Sequence, residues 1–442
     1  MARVRVAVIG GGSAYMPGII RGFIGRAADL AGSEMVLQDV DQARVELMGR
    51  LAGRMFAAAH DHAGTPAADR LQVRVAPDLE AALDDVDFVL TTFRPGGLAA
   101  RHLDESIPLR HGVVGQETAG PGGFLMACRS VPVLLGIART LAARAPRAWI
   151  VNYTNPTNVV TDAVLRFSDA RIVGLCDQHI GDLELWADLL DLPREGLEAD
   201  WFGLNHATWA ERVRAAGKDL SAVVRARLTA LDPTRASEPV GQLARLARLL
   251  GLLPNSYARY YLFHDEVVQE LRAKGTTRAE DLTALMPGYY ADYARAATLP
   301  QPDPSSERGG GVHGDFAVDA ICAIAGDERR RMIVNVRNGG AIDGLPEEAV
   351  VEVPSRVGRD GARPLAMGPL PHPVRGLTQA VHEYEWLAAE AAARGDRDLA
   401  LQALAVHPFV RSLPTAEAIL QEGLAAHAEH LPQFRTRRVG HV

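Results

Sequence analysis

The chain has 442 residues, 48% of them hydrophobic and 23% charged, which excludes a disordered protein and indicates one large or two interleaved globular domains. A formal net charge of −7 argues against nucleic acid or an anionic membrane as the main partner. Because the three cysteines suggest no disulfide framework, and neither a signal peptide nor an apolar stretch of about 18 residues is evident, we expect a cytoplasmic protein without a membrane span.

Apolar strands alternate with amphipathic helices over the first 185 residues. The segments that predict strands are VRVAVI, EMVLQDVD, VDFVLTTF, AWIVNYTNP and ARIVGLCD. This alternation predicts an α/β fold with a Rossmann-like parallel sheet and right-handed crossovers. Ligands of such sheets bind at the carboxyl ends of the strands. Four polar residues fall at or just past these ends, namely Asp39, Arg94, Asn152 and Cys176.

The pattern changes near residue 185. Leucines at helical spacing in SAVVRARLTALDPTRASEPVGQLARLARLLGLL predict helices, and a Pro, Ser and Gly loop spans residues 298–311. Two or three strands are predicted in MIVNVRNGGAIDGLPEEAVVEVPSRV, and two helices broken at Gly395 and Pro408 follow. We therefore predict a Rossmann-like domain at 1–185 and, at 186–442, an α+β catalytic and oligomerisation domain that ends in helices.

A glycine turn, Gly10 to Gly12, links the first predicted strand to a helix. Backbone amides at such a turn hold a phosphate, and glycines allow its close approach. Asp39, at the end of the second strand, is placed to bind an adenosine ribose hydroxyl, which favours NAD over NADP. Tyr15 stands where the third glycine of GxGxxG is expected, so a purely structural turn is the alternative. The order of strand, turn, helix and acid favours NAD binding by residues 1–185.

Two residues, Cys176 and His206, suggest a metal site. Cys176 ends a predicted strand in VGLCDQHIG, and His206 follows Asn205 in GLNHATW. Each of the two alone is more often a buried structural residue. A thiolate and an imidazole together would make an open site, because two protein ligands are too few for a closed zinc site and leave positions for substrate oxygens.

Long motifs run in order from about residue 4 to residue 436 of the chain, and they include VIGGGSAYMPGIIRGFI, FRPGGLAARHLDESIPLRHGVVGQETAGPGG, NYTNPTNVVTDAVLR, VGLCDQHIG, GLNHATW and NVRNGGAIDGLPEEAVVEV. In these motifs the sequence resembles glycoside hydrolase family 4, the NAD- and metal-dependent glycosidases, and within that family it is most similar to the 6-phospho-β-glucosidases. The GQET/GPGG segment and the cysteine and Asn-His pair are specific, whereas the glycine turn is common to many dinucleotide-binding proteins.

The resemblance implies a small-molecule glycoside as substrate and, as cofactors, NAD and a divalent ion, usually Mn²⁺. A hydride would leave C3 of the sugar for NAD, a base would remove the C2 proton, the C1 aglycone would leave, water would add, and the hydride would return. The metal ligands would be Cys176 and His206. The NAD contacts would come from Gly10, Gly12, Ser13 and Asp39. The substrate or metal-site contacts would come from Arg94, Glu117, Asn152, Asn205 and Arg337.

The segment that carries the family's catalytic tyrosine departs from the pattern. RGGGVHGDFAVDAI stands where the family usually reads like RGGAYYSDAA, so Val312 and His313 replace the tyrosines. Valine cannot accept a proton, whereas histidine can near neutral pH, and we predict that His313 is the base, carried on a flexible loop. A surface-loop histidine is the alternative, and Asp315 is a second candidate base. We interpret Tyr289 and Tyr290, which precede the loop, as a coincidental likeness to the family's tyrosines.

Other departures bear on the leaving group and the substrate. Asp177 follows the cysteine where the phospho-β enzymes commonly have asparagine, and it predicts an acid for the leaving group. The alternative is a strand-end aspartate bonded to backbone. Ala119 and Gly339 replace polar residues of the family pattern. These changes predict an altered substrate and leave open the sugar, the anomer and the phosphate.

Three functions follow from these observations. We predict an NAD- and metal-dependent glycoside hydrolase that acts on a glucoside-like or 6-phosphoglucoside substrate as a homo-oligomer, a dimer or tetramer. An NAD-dependent sugar or hydroxy-acid dehydrogenase would instead release NADH. A non-catalytic NAD or sugar-phosphate sensor would bind its ligands and form no product.

Overall fold

A nine-stranded sheet runs through the computed structural model, which describes residues 3–232, 234, 237–305 and 310–435. Six parallel strands form its first part in the order β3-β2-β1-β4-β5-β6, and β11, β13 and β14 extend it as antiparallel strands. Their bounds are β1 (Arg5–Ile9), β2 (Glu34–Gln38), β3 (Gln72–Val75), β4 (Phe88–Thr91), β5 (Trp149–Asn152), β6 (Arg171–Gly174), β11 (Arg330–Arg337), β13 (Val350–Gly358) and β14 (Gly361–Pro364).

The predicted α/β fold with a parallel N-terminal sheet is confirmed, but one strand, β3, was missed. Val73 and Val75 alternate in β3 with Gln72 and Arg74, and the strand pairs only with β2. An edge strand has one side without a neighbour and needs no continuous apolar run. The apolar-run criterion that identified the five central strands therefore could not identify this one.

Helices pack against the large sheet and make up most of the rest of the chain. They are α1 (Met16–Gly25), α2 (Gln42–Ala63), α3 (Leu79–Ala82), α4 (Gly97–Arg110), α5 (Gly120–Arg144), α6 (Thr157–Phe167), α7 (Gln178–Leu189), α8 (Ser221–Ala230), α9 (Glu238–Leu250), α10 (Ala258–Leu262), α11 (His264–Lys274), α12 (Arg278–Ala296), α13 (Gly310–Ala325), α14 (His372–Arg394), α15 (Arg397–Val406) and α16 (Leu413–Ala426). The break predicted at Gly395 is confirmed, since Gly395 ends α14 with φ 69°.

One helix, α5, is long and apolar enough to cross a membrane, contrary to the expectation that no such stretch exists. Within the described residues it is the single helix of this kind, and 72% of its most apolar window is buried inside the protein. The helix packs against α4, α6 and α14. Its apolar surface is thus covered by neighbouring helices, as in the core of a folded domain.

Two smaller sheets belong to the C-terminal half. An antiparallel sheet contains β7 (Leu197–Leu204), β8 (Ala207–Ala215), β9 (Lys218–Asp219) and β10 (Leu253–Pro254), and a parallel pair contains β12 (Ile342–Asp343) and β15 (Gly368–Pro369). The second half also completes the large sheet, because Asn335 of β11 pairs with Gly174 of β6. The sheet therefore crosses the domain boundary predicted at residue 185, and that division stays a prediction.

Glycines bring α13 very close to α1, the helix that follows the glycine turn. A Cβ atom on Gly314 would lie 1.9 Å from the carbonyl oxygen of Gly18, and one on Gly22 would lie 2.7 Å from that of Gly314. Only glycine allows the two backbones to approach this closely. The prediction that His313 lies on a flexible loop is therefore wrong: it lies in α13. Gly309, the first residue of the glycine run, lies outside the described residues.

Candidate active site

The glycine turn after β1 packs closely against the end of β4 and is bonded to Asp39. Gly10 adopts φ 91°, and a Cβ atom there would lie 2.6 Å from the carbonyl oxygen of Thr92. The Gly12 amide donates to Asp39 Oδ2 at 2.9 Å, so the turn and the acid after β2 form one unit. The Ser13 amide closes the turn by donating a hydrogen bond to the Gly10 carbonyl oxygen, and α1 begins three residues later. A bare backbone, a helix N-terminus and a carboxylate fit a phosphate and a ribose.

Helix α12 also contacts this turn. The Tyr290 hydroxyl donates to the Gly12 carbonyl at 2.8 Å, and the Arg44 guanidinium lies 4.6 Å from the centre of the Tyr290 ring. Tyr289 and Tyr290, which we interpreted as a coincidental likeness, thus lie on a helix beside the dinucleotide turn, and Tyr290 makes a direct contact with it. The pattern of the sequence contained no signal for this contact, because about 280 residues separate the two partners.

The structure brings Cys176 and His206 together. Cys176 follows β6 at the carboxyl edge of the large sheet, and His206 lies in the tight turn between β7 and β8 with φ 63°. The thiol Sγ and His206 Nε2 are 3.6 Å apart, and both residues are buried. Positive φ is uncommon for a residue other than glycine and is often found at functional sites. Here the positive φ of His206 directs its imidazole toward the sulfur of Cys176, which follows a strand of the other, larger sheet.

The electrostatics of this pair suit a metal ion. Burial lowers the pKa of His206 to about 4, so its imidazole is neutral and able to bind a metal at pH 7. Burial and nearby Glu352 raise the pKa of the Cys176 thiol well above its usual range, so a cation is needed to stabilise the thiolate. Among the described residues, no group of three or more His, Cys, Asp or Glu side chains could hold a metal. A divalent ion would therefore have two protein donors here and open positions for other ligands.

Two residues that we did not predict lie beside Cys176 and His206, the two proposed metal ligands, which we call the metal-ligand pair. Tyr257 stacks on the His206 ring, with ring centres 4.1 Å apart and planes 6° from parallel. Glu352 on β13 accepts a hydrogen bond from the Asn205 amide at 3.2 Å, and burial raises its pKa to about 8. Asn205, predicted as a contact of the site, therefore lies beside the metal-ligand pair. Tyr257 lies outside the motifs quoted above, and Glu352 lies near the end of NVRNGGAIDGLPEEAVVEV. Nothing local marks either residue as a neighbour of this site, since both come from distant parts of the chain.

His313 reaches the same edge of the sheet and pairs with Asp177. His313 Nδ1 lies 2.9 Å from Asp177 Oδ2, and its ring stacks on Tyr153 with ring centres 3.8 Å apart. Its Nε2 is buried and has no hydrogen-bond partner among the described residues. Two residues predicted separately, one as a base and one as an acid, thus form a histidine–carboxylate pair. Tyr153 was missed, although its place after the end of β5 is a signal that the sequence offered.

The environment of Asp177 does not suit the predicted role of leaving-group acid. Burial favours the neutral carboxyl, but the hydrogen bond and charge of His313 outweigh it and lower the Asp177 pKa below its usual value. Asp177 is therefore ionised near neutral pH and accepts hydrogen bonds only. Asp315, the second candidate base, is exposed on α13, and burial and the charge of Asp319 raise its pKa. Two positions along a helix place Asp315 away from the face that carries His313.

A buried ion-pair network lies beside the strand end after β4. Arg94 pairs with Glu117 and also donates to Met126 Sδ at 2.8 Å, while Arg101 reaches the other oxygen of Glu117 at 3.1 Å. Burial opposes the charge of Glu117, but the two guanidinium groups lower its pKa overall. The network fixes Arg94 near the sheet edge, as expected for a residue that recognises an anionic or hydroxyl-rich substrate.

Two predicted substrate residues are not placed for such a contact. Asn152 is fully buried, where its side chain accepts from Thr91 Oγ1 at 2.8 Å and is bonded to the backbone of Thr154. It organises the end of β5. Arg337 is exposed at the end of β11 and donates to the carbonyl oxygen of Leu165 at 2.8 Å. The sequence placed Asn152 at a strand end, and the resemblance suggested Arg337, but neither could tell which neighbours use the polar groups of these side chains.

Comparisons with known proteins agree over nearly the whole chain. The model of family 4 glycosyl hydrolases matches residues 5–192, and that of the family 4 glycosyl hydrolase C-terminal domain matches residues 201–410. The chain is 36% identical to a probable 6-phospho-β-glucosidase of Bacillus subtilis (strain 168), over 98% of each chain.

Two solved structures are similar to the chain in fold as well as in sequence. A Thermotoga maritima 6-phospho-β-glucosidase with manganese, NAD⁺ and glucose 6-phosphate has a TM-score of 0.85 and 30% identity, covering 97% of this chain and 99% of that one. A 6-phospho-α-glucosidase from gut microorganisms, in complex with NAD and Mn²⁺, has a TM-score of 0.86 and 26% identity, covering 98% of this chain and 100% of that one.

Proposed function

The chain belongs to glycoside hydrolase family 4, and on that premise we propose that it hydrolyses a 6-phosphoglucoside with the help of NAD and a divalent ion. The observation that carries the proposal is the pairing of Cys176 with His206 at the carboxyl edge of a sheet that also carries a dinucleotide turn. The named relatives act on 6-phosphoglucosides, which supports a phosphorylated substrate, a point that the changes at Ala119 and Gly339 left open.

The residues of the site fit both cofactors. Cys176 and His206 would hold the ion, and Gly10, Gly12, Ser13 and Asp39 would hold NAD. When bound, NAD would supply reversible acceptance of the C3 hydride, and the ion would supply stabilisation of negative charge on the sugar oxygens. The remaining steps, which are orientation of the sugar and removal of the C2 proton, belong to side chains of the protein.

We assign the removal of the C2 proton to His313. Because ionised Asp177 can only accept a hydrogen bond, Nδ1 of the imidazole must be the donor. Whenever the ring carries a single proton, that proton is therefore on Nδ1, and the Nε2 lone pair is available as a base. Stacking on Tyr153 and the close packing of α13 on α1 hold the ring in place. Tyr153 itself is a poor base, because burial raises the pKa of its phenol well above the usual value.

The pairing of His313 with Asp177 bears on the two alternative functions. The absence of the family's tyrosine is compatible with a non-catalytic sensor, but a partly buried imidazole that is oriented by Asp177, and whose Nε2 has no partner among the described residues, is an arrangement expected of a general base. A dehydrogenase would not need the C2 proton to be removed. A hydrolase that removes the C2 proton therefore accounts for the His313–Asp177 pair, which neither alternative function requires.

Turnover per bound NAD tests the proposed function. We expect each chain loaded with one NAD and Mn²⁺ to release many equivalents of sugar phosphate from a 6-phosphoglucoside without a net rise in absorbance at 340 nm. Stoichiometric accumulation of NADH would instead identify a dehydrogenase. Ligand binding without product would identify a sensor. Removal of the ion with a chelator should abolish turnover, and Mn²⁺ should restore it.

Two further expectations accompany this function. We propose a cytoplasmic location, supported by three cysteines that are buried and free of disulfides and by the use of NAD. We also propose a homo-oligomer, which size-exclusion chromatography with light scattering would test. A 442-residue monomer in that experiment would refute the second expectation.

A further inference from the structure

The aromatic ring of Tyr257 covers one face of His206, a member of the metal-ligand pair. The two ring centres are 4.1 Å apart and the ring planes lie 6° from parallel, so the rings stack face to face. His206 is 5% exposed and lies in the turn between β7 and β8, whereas Tyr257 comes from a separate segment that leads into α10. The fold therefore brings a second aromatic ring onto the imidazole that faces Cys176.

His206 lacks the hydrogen bond that usually fixes a metal-binding imidazole. A histidine that binds a metal through one ring nitrogen normally donates its other ring N–H to a carboxylate, a carbonyl oxygen or water, and this bond sets the orientation of the ring. Nε2 of His206 faces the Cys176 thiol at 3.6 Å, so Nδ1 is the nitrogen that would carry the proton. Among the described residues, no protein group forms a hydrogen bond with this Nδ1. The stack on Tyr257 is therefore the contact that restrains the tilt of the imidazole.

The small sheet that carries His206 also anchors Tyr257. β10 pairs with β8, and the amide of Asn255, the residue after β10, donates to the Thr208 carbonyl oxygen at 3.0 Å. Asn255 Oδ1 in turn accepts a hydrogen bond from the Tyr257 amide at 2.9 Å. Asn255 is 1% exposed, so these bonds are shielded from water. Because Thr208 follows His206 closely along the chain, this short path fixes the two rings relative to each other.

The hydroxyl of Tyr257 meets the segment that contains Glu117. Gln116 Nε2 donates to this hydroxyl at 3.3 Å, while Gln116 Oε1 accepts from the Thr118 hydroxyl at 2.9 Å. Glu117, between these two residues, pairs with Arg94. The hydroxyl of Tyr257 thus contacts the proposed substrate side of the site, and its ring face contacts the proposed metal side. Substitution with phenylalanine removes the first contact and keeps the second, whereas leucine removes both.

We propose that Tyr257 is a positioning residue whose ring holds His206 in the orientation that binds the divalent ion. The proposal rests on the metal site of the proposed function and adds to it a residue outside the quoted motifs. A divalent ion on the imidazole withdraws electrons, so the ring gains positive charge and is attracted to the face of the tyrosine ring. The stack is therefore stronger with the ion than without it, and its loss weakens ion binding.

Calorimetric titration of Mn²⁺ into the full chain loaded with NAD tests the proposal. We expect Tyr257→Leu to weaken Mn²⁺ binding about tenfold, because the variant loses both the restraint on the imidazole and the attraction between the rings. Tyr257→Phe keeps the ring face and should stay within about threefold of the wild-type affinity. Tyr257→Met, which also lacks a ring, gives the same test as the leucine variant should that variant not fold.

Tyr260→Leu is the matched control. It removes a neighbouring tyrosine that packs edge-on against Tyr257, with ring centres 5.2 Å apart, and that makes no ring contact with His206. Its Mn²⁺ affinity should stay within about threefold of wild type. Thermal melts and NAD titrations of all the variants report changes in folding. Co²⁺ gives a spectroscopic readout of ligand geometry, since its d–d absorption bands should change in Tyr257→Leu and match wild type in Tyr257→Phe.

Cys176→Ser separates failure of this proposal from failure of the metal site itself. Loss of Mn²⁺ binding in Cys176→Ser together with wild-type affinity in Tyr257→Leu would keep the metal site and overturn the role of Tyr257. Unchanged affinity in Cys176→Ser would instead remove the site on which the proposal rests. Equal losses in Tyr257→Leu and Tyr260→Leu would show general loosening of α10, and equal losses in Tyr257→Leu and Tyr257→Phe would assign the effect to the hydroxyl. Either of these results would also overturn the proposal.

Discussion

Replacing His313 with asparagine removes the proposed base and keeps its contact with Asp177. The asparagine amide nitrogen would lie close to the position of the imidazole Nδ1, which is 2.9 Å from Asp177 Oδ2 in wild type, so it can still donate to that carboxylate. No atom of asparagine replaces Nε2, the nitrogen that is buried without a partner. The variant therefore tests the chemistry of one nitrogen while Asp177 stays paired.

The expected loss in rate follows from the role of a general base. Such a group contributes about 10²–10⁴-fold, which corresponds to about 2.7–5.4 kcal/mol of activation free energy at 1.36 kcal/mol per tenfold. Loss of the stacking on Tyr153 should cost only about 0.5–1.5 kcal/mol of folding stability. The folded fraction should therefore stay close to that of wild type while the rate falls steeply.

The assay compares kcat/KM on a 6-phosphoglucoside at saturating NAD and Mn²⁺ with the rate at which the C2 hydrogen exchanges with D₂O. Asp315→Asn, two positions along α13 and exposed, is the matched control and should change both rates by less than about threefold. A His313→Asn variant that keeps wild-type turnover and C2 exchange would refute the assignment. Loss of both rates in Asp315→Asn instead would identify Asp315 as the base.

Four other substitutions test the fold and the site. Gly314→Ala should lower the free energy of unfolding by at least about 1–3 kcal/mol because its Cβ atom would meet Gly18, whereas Gly288→Ala, with open space around it on α12, should raise it by about 0.5–1 kcal/mol in the same denaturant titrations. Burial raises the pKa of Asp182 from 3.8 to about 6, so the folded state holds the proton of this carboxyl more tightly than the unfolded state does. Wild type should therefore lose about 3 kcal/mol of unfolding free energy relative to Asp182→Asn as the pH rises from about 4 to about 6. An equal pH profile in both proteins would contradict that shift. Cys176→Ser should lose Mn²⁺ binding and activity in calorimetry and turnover assays and keep the NAD affinity of wild type, because a serine hydroxyl stays protonated at pH 7; unchanged Mn²⁺ affinity would exclude a thiolate ligand.

Local patterns predicted the parts of the fold that local forces determine. The strand, glycine turn and helix that begin the chain were predicted because apolar runs, turn residues and helical periodicity all lie within about 25 residues. Helix α13 was not predicted, because three glycines and a preceding Pro-rich segment are unfavourable for an isolated helix. Its stability comes from the close packing of Gly314 on α1, which no local pattern reveals.

The site shows the same division between local and distant information. The sequence placed Cys176 and Asp177 at a strand end, and the resemblance to a family suggested His206 as the second ligand. That His313 pairs with Asp177 required the fold, because 136 positions separate them. Asn152 was correctly placed at a strand end, yet neighbouring groups occupy its polar atoms. Position along the sheet is therefore readable from sequence, whereas the partner of a polar group is not.

The product formed in D₂O gives the most direct test of the central claim, that this chain cleaves glycosides through transient oxidation at C3. The enzyme, with one NAD per chain and Mn²⁺, is supplied with a 6-phosphoglucoside, and the released sugar phosphate is analysed by proton NMR. The account predicts deuterium at C2, because a base removes that proton, and the original hydrogen at C3, because the hydride returns. A product that keeps its original hydrogen at C2 would show that the bond is cleaved without C2 deprotonation, as with a pair of carboxylates, and would contradict the account.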